Sequence, residues 1–125
     1  MTIARPPAAD VLTAVLGPAV PKAGATHGEP HESFLVLFED DRVEVGIWEV
    51  TAGGFSSRKA GISEVMHFVA GEGSITADDG VVTEIRPGAV LVTPDGWEGT
   101  WEVSRPTRKL YVIAKTALPT DATPR

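Results

Sequence analysis

The chain has 125 residues, 42% of them apolar and 22% charged, the balance of one ordinary globular domain able to bury a core. A net charge of −6 argues against nucleic-acid binding through phosphate contacts and against anionic membrane surfaces. The absence of cysteine excludes disulfides and thiol catalysis and fits a reducing, cytoplasmic setting. No apolar run reaches the roughly 18 residues of a membrane span, and Met1 to Pro7 lacks the apolar block of a signal peptide.

Residues 1–30 read as an irregular N-terminal arm. Within it Val11, Leu12, Val15 and Leu16 have helical spacing, so a short helix over Ala8 to Leu16 competes with a loop or an arm strand. Pro18, Pro21, Gly24, Gly28 and Pro30 then make a long connection. From residue 31 the period is that of strands. Ser33 to Phe38 is β-prone, and Glu39-Asp40-Asp41 is a turn. Val43 to Val50 alternates, with Gly46, Trp48 and Val50 on one face. Glu64 to Val69 is the next strand, closed by Gly71-Glu72-Gly73, after which Ser74 to Ala77 returns. Asp78-Asp79-Gly80 turns into Val81 to Ile85, a strong hairpin signal. Arg86-Pro87-Gly88 leads into Ala89 to Thr93, and Pro94-Asp95-Gly96 leads into Thr100 to Val103. Ser104 to Thr107, with Pro106, reads as a last turn before Lys109 to Ala114, with Glu102 and Lys109 flanking it and pairing across strands. Residues 116–125 read as a frayed tail. At least eight short strands with almost no helix describe an all-β sandwich or small barrel over residues 31–115, with a ligand at its mouth.

Gly46-Ile47-Trp48-Glu49, Glu64, Gly71, Gly88, Pro94, Gly96, Gly99-Thr100-Trp101 and Arg108-Lys109-Leu110-Tyr111-Val112 together resemble the cupin superfamily. The resemblance, from about Arg42 to Ala114, is to small single-domain cupins grouped with the cupin domain of (S)-ureidoglycine aminohydrolase and with ethanolamine-utilisation cupins. It implies a jelly-roll β-barrel, and by analogy a homodimer. It also implies a metal site that this chain does not complete. Metal-binding cupins carry two histidines shortly before the glutamate and one in the second motif. Here Ser57 to Ser63 holds no histidine, and the second-motif position is Gly99. Glu64 alone remains, and one carboxylate cannot hold a transition metal. The expectation is therefore no cofactor.

Strand alternation places Glu64, Met66 and Phe68 on one face, the barrel interior by the resemblance. Glu64 reads as an acid or base of raised pKa, or as a carboxylate paired with Arg58, Lys59 or Lys109. Arg58 and Lys59 stand where the metal ligands would be. They read as electrostatic partners of a substrate anion or as a solvated pair. Trp48 and Trp101 read as a stacking wall or as core. Gly99 leaves a hole for a ligand, or for Trp101 to fill. His67 falls on the outer strand face, and His27 and His31 lie in a loop without metal-binding spacing. Three classes of function follow: a metal-independent isomerase, lyase or amidohydrolase-type enzyme using Glu64, a non-catalytic module binding or sensing a small organic metabolite, and a metal-dependent ureidoglycine-aminohydrolase-like enzyme with unorthodox ligands, such as Glu64 with His27 or His31 brought over by the arm.

Overall fold

A computed structural model describes residues 6–116. It is all-β, with nine strands in one antiparallel sheet: β1 (Val20–Pro21), β2 (Ala25–His27), β3 (His31–Glu39), β4 (Val43–Val50), β5 (Gly53–Arg58), β6 (Ile62–Ala77), β7 (Val82–Ile85), β8 (Val90–Thr93) and β9 (Glu98–Lys115). Two long strands run side by side through the middle, β6 with 16 residues and β9 with 18. Their outer halves recruit different neighbours. The second half of β9 pairs with β4 and the first half of β6 with β8. The first half of β9 pairs with β5 and the second half of β6 with β7. The sheet therefore curls into a half-barrel whose two arms share the long strands.

The curl corrects the expected turns at Gly71-Glu72-Gly73 and at Ser104 to Thr107. Neither reverses the chain. Both are bends in continuous strands, set side by side where the β6–β9 register slips between Phe68 and Gly73. Gly71 (φ 125°) and Gly73 (φ 156°) are needed there. A Cβ at Gly71 would overlap the Thr107 side chain, and one at Gly73 would overlap the Glu102 carbonyl. Pro106, which has no N–H to donate, falls in the same irregular stretch. Because no hairpin forms there, Glu102 and Lys109 do not pair with each other.

Elsewhere the turn chemistry acts as its residues suggest. Asp40 Oδ1 accepts the Arg42 and Val43 amides at 2.8 and 2.9 Å and closes the β3–β4 hairpin. Residues 8–16 form one turn, not a helix: Asp10 caps the Leu12 and Thr13 amides, and the Ala14 amide donates to the Asp10 carbonyl. The arm is not wholly irregular, since β1 pairs with β3 and β2 with β5. Arg108 fastens it by donating to the Val11 and Ala14 carbonyls at 3.1 Å each while pairing with Glu49. The tail expected over 116–125 lies outside the described residues beyond Thr116.

The core fills the inside of the curl. Phe55 and Trp101 stack at 5.2 Å, and Trp48 and Phe68 meet the Trp101 ring edge-on at 5.7 and 5.8 Å. Val50, Met66, Ile75, Ile85 and Val103 complete the packing.

Candidate functional site

At the open end of the core lies a cavity of about 230 Å³. Its floor is the face of β4, β9 and β6 that strand parity turns inward: Trp48 on β4, then Lys109, Tyr111 and Ile113 on β9, then Glu64 on β6. Trp101 and Phe55 form one wall, and Glu32 and Phe34 of β3 with Glu44 of β4 form another. Lys22 reaches in from the arm and Lys59 from the β5–β6 connection.

Glu64, 4% exposed, is the centre. Lys109 Nζ donates to its Oε2 at 2.7 Å, and Lys59 Nζ donates to its Oε1 at 2.9 Å. Lys109 is buried and Lys59 is partly so. Burial works against the charge on Glu64, but the fields of Lys109 and then Lys59 outweigh it and hold the carboxyl below the usual glutamate range. Burial also pushes Lys109 below the usual lysine value. Glu64 opposes that shift and Lys59 adds to it. Lys109 Nζ lies 4.3 Å from the Trp48 ring centroid and 5.0 Å from that of Trp101, so indole faces replace part of its hydration.

Lys59 is held by its backbone. Its amide donates to the Trp97 carbonyl, its carbonyl accepts the Gly96 amide, and Asp95 caps the Gly61 amide two residues on. The Pro94-Asp95-Gly96 turn is thus the template that aims Lys59 at Glu64. On the other wall the Tyr111 hydroxyl donates to Glu44 Oε2 at 2.7 Å, and the Trp48 indole N–H donates to Glu32 Oε1 at 2.8 Å. Burial first, and the Glu44 carboxylate second, push the Tyr111 phenol well above its usual pKa. Tyr111 fits because Gly46 faces it across the strands. A Cβ there would come 2.6 Å from the hydroxyl.

The cavity brings together Glu64, Lys59, Lys109, Trp48 and Trp101 from the expected set. Met66 and Phe68 share the inward parity of Glu64 but are fully buried in the core beneath it. Arg58 does not reach Glu64. It ends β5 with its side chain 73% exposed and pairs with Glu98 at 3.3 Å. Gly99 opens no hole onto this cavity: the Trp97 indole, not Trp101, occupies the space, 2.5 Å from where a Cβ would stand. His27 pairs with Glu102 on the surface, His31 contacts the Glu29 carbonyl, and His67 is exposed on the outer face.

Sequence reasoning missed eight lining residues, among them Glu44, Tyr111, Lys22 and Glu32. Glu44 was open to it, lying two residues before Gly46 on the same strand face, and Tyr111 follows from Lys109 by the same parity. Lys22 and Glu32 were not, because the folding of the arm and the register of β3 decide them.

The donor set does not fit the metal of metal-binding cupins. Glu64 stands between two ammonium groups that supply no ligand at that charge, and no histidine lines the cavity to complete a set of three or four. Among the described residues no three His, Asp or Glu side chains are grouped to hold an ion. No helix there is long and apolar enough to cross a membrane.

Comparison with known proteins gives one family: the EutQ-like cupin domain matches residues 37–111. A solved protein of unknown function from Pseudomonas syringae pv. tomato, of the DUF861 family, is 25% identical with a TM-score of 0.73, over 83% of this chain and 46% of that one. This chain therefore spans less than half of that relative's length. The EutQ protein of Clostridium difficile is 20% identical with a TM-score of 0.60, over 70% of each chain. A putative ethanolamine utilisation protein of Salmonella typhimurium is 19% identical with a TM-score of 0.62, over 79% of this chain and 80% of that one. At those identities the last two speak for the fold alone. No curated protein matches the sequence.

Proposed function

Because this chain belongs to the EutQ-like cupin family, we propose that its cavity serves the family's fold as a small-molecule site that takes an organic acid without a metal. The observation that carries this reading is the Lys59–Glu64–Lys109 cluster on the cavity floor. One carboxylate faces two ammonium groups, so the cluster has one positive charge more than it neutralises, in a site walled by indoles and largely shielded from water. A ligand carboxylate is the natural partner for that surplus, and shielding strengthens the attraction. Lys22, at the mouth, adds a third cation.

Within this reading Glu64 keeps its charge at neutral pH. It orients the two lysines or accepts a proton, and it is not the acid. The proton donor is Lys109, whose ammonium is buried against the ligand space and deprotonates more readily than a free lysine. That supports a metal-independent isomerase, lyase or amidohydrolase-type reaction as the second reading, beside simple binding or sensing. We also propose that the outer face of the sheet, where Val65, Val90 and Val92 are exposed, packs against a second copy in a homodimer. A monomer in sedimentation would overturn that point.

The test is calorimetric titration with short mono- and dicarboxylates. Binding that is lost in Lys59→Met but kept in Arg58→Met supports an acid held by the buried cluster. Binding unchanged in Lys59→Met, or no carboxylate bound at all, rejects it.

A further inference from the structure

The cavity has a second side of opposite sign. Glu44 and Glu32 both line it, and both accept hydrogen bonds from neutral donors, Tyr111 and Trp48. Neither enters an ion pair among the described residues. Two partly buried carboxylates on one wall, neither of them in an ion pair, can meet a cationic group of a ligand. The register sets the separation. Glu44 pairs with Ile113, and Ile113 pairs with Glu64, so Glu44 stands two strands from the lysine-capped Glu64, about 10 Å between backbones. The long side chains narrow that span, leaving a cationic pole and an anionic pole within reach of one small molecule.

A purely anionic ligand would serve the lysines but would leave the Glu44 wall unmatched.

We propose that the ligand is a small zwitterion, an amino acid in the chemical sense, with its carboxylate at Lys59 and Lys109 and its ammonium at Glu44 and Glu32. The proposal rests on the acid-binding reading above and adds the second charge. Glu44, supported by the Tyr111 hydroxyl, is then the specificity-determining residue. It rewards an amine and repels a second acid group.

The experiment titrates the full chain with ω-amino acids from glycine to 6-aminohexanoate. Each is compared with the carboxylate and the amine of the same carbon count. The expected result is one chain length at which the amino acid binds at least about tenfold more tightly than its carboxylate. Glu44→Gln should erase that advantage while leaving the carboxylate as tightly bound or tighter. Glu32→Gln is the second variant should Glu44→Gln fail to fold. The zwitterion is overturned, with the acid-binding reading intact, if carboxylates bind as well as amino acids at every length. It is also overturned if Glu44→Gln weakens both alike. If no compound bearing a carboxylate binds, the acid-binding reading falls, and this proposal with it.

Discussion

Two sets of ion pairs on this protein use the same chemistry in different surroundings. At the rim, Arg58 meets Glu98 at 3.3 Å and His27 meets Glu102, with all four side chains roughly half to three-quarters exposed. On the cavity floor Glu64 meets Lys109 and Lys59 at 2.7 and 2.9 Å, with every side chain at 12% exposure or less. Water screens the rim pairs and can replace either partner at little cost. On the floor nothing replaces a missing partner, so each charge depends on the others being there. Burial, rather than residue type, makes one set a site and the other a surface.

The comparison breaks most visibly at Glu64. Glu64→Ala leaves two ammonium groups buried and facing each other, and should cost roughly 3–5 kcal/mol in urea unfolding. A loss under about 1 kcal/mol would mean that water reaches the floor. The same residue sets the acid limb of stability. Its folded pKa lies below the reference value of 4.5. The unfolded chain therefore binds the proton first. The stabilisation is complete above the reference value and is lost as pH falls through the lower folded one. Relative to the wild type, Glu64→Gln should flatten the fall in unfolding free energy below pH 4.5.

Next in size is Lys59→Met, which leaves Glu64 paired with Lys109 alone. It removes one charged hydrogen bond and should cost roughly 1–3 kcal/mol. Of similar size is Gly99→His, which restores the histidine of metal-binding relatives by sequence alone. Its Cβ would press on the Trp97 ring and the Thr76 carbonyl. Overpacking should cost about 1–3 kcal/mol, and zinc should not raise the melting temperature. Zinc-dependent stabilisation of that variant would show that the Trp97 indole yields. The smallest effect belongs to Arg58→Ala, at roughly 0–1 kcal/mol, with carboxylate binding unchanged.

Much of this was readable in the chain. Alternation fixed the face of Glu64 and of Trp48, and β4 begins and ends where its pattern does. Glycine, proline and aspartate marked the places where the backbone must bend or turn. They did not say which. Gly71-Glu72-Gly73 and Pro106 carry the local chemistry of chain reversals, yet they are bends, because each lies beside the other in a neighbouring long strand. β5 carries too few β-branched residues to be seen as a strand, and it exists because β9 and β2 pair with it on both sides.

Local sequence determined the strand faces, the turn positions and the presence of one inward carboxylate, because side-chain period and backbone preference act over a few residues. Tertiary structure decided which cation meets that carboxylate. Arg58 and Lys59 are neighbours in the chain, and both were candidates. The turn at Asp95-Gly96 grips the backbone of Lys59 and aims it inward, while Arg58, the last residue of β5, is left with Glu98 at the surface. A contact between residues far apart in sequence depends on the register of strands in between, and register is set by the packing of the whole sheet.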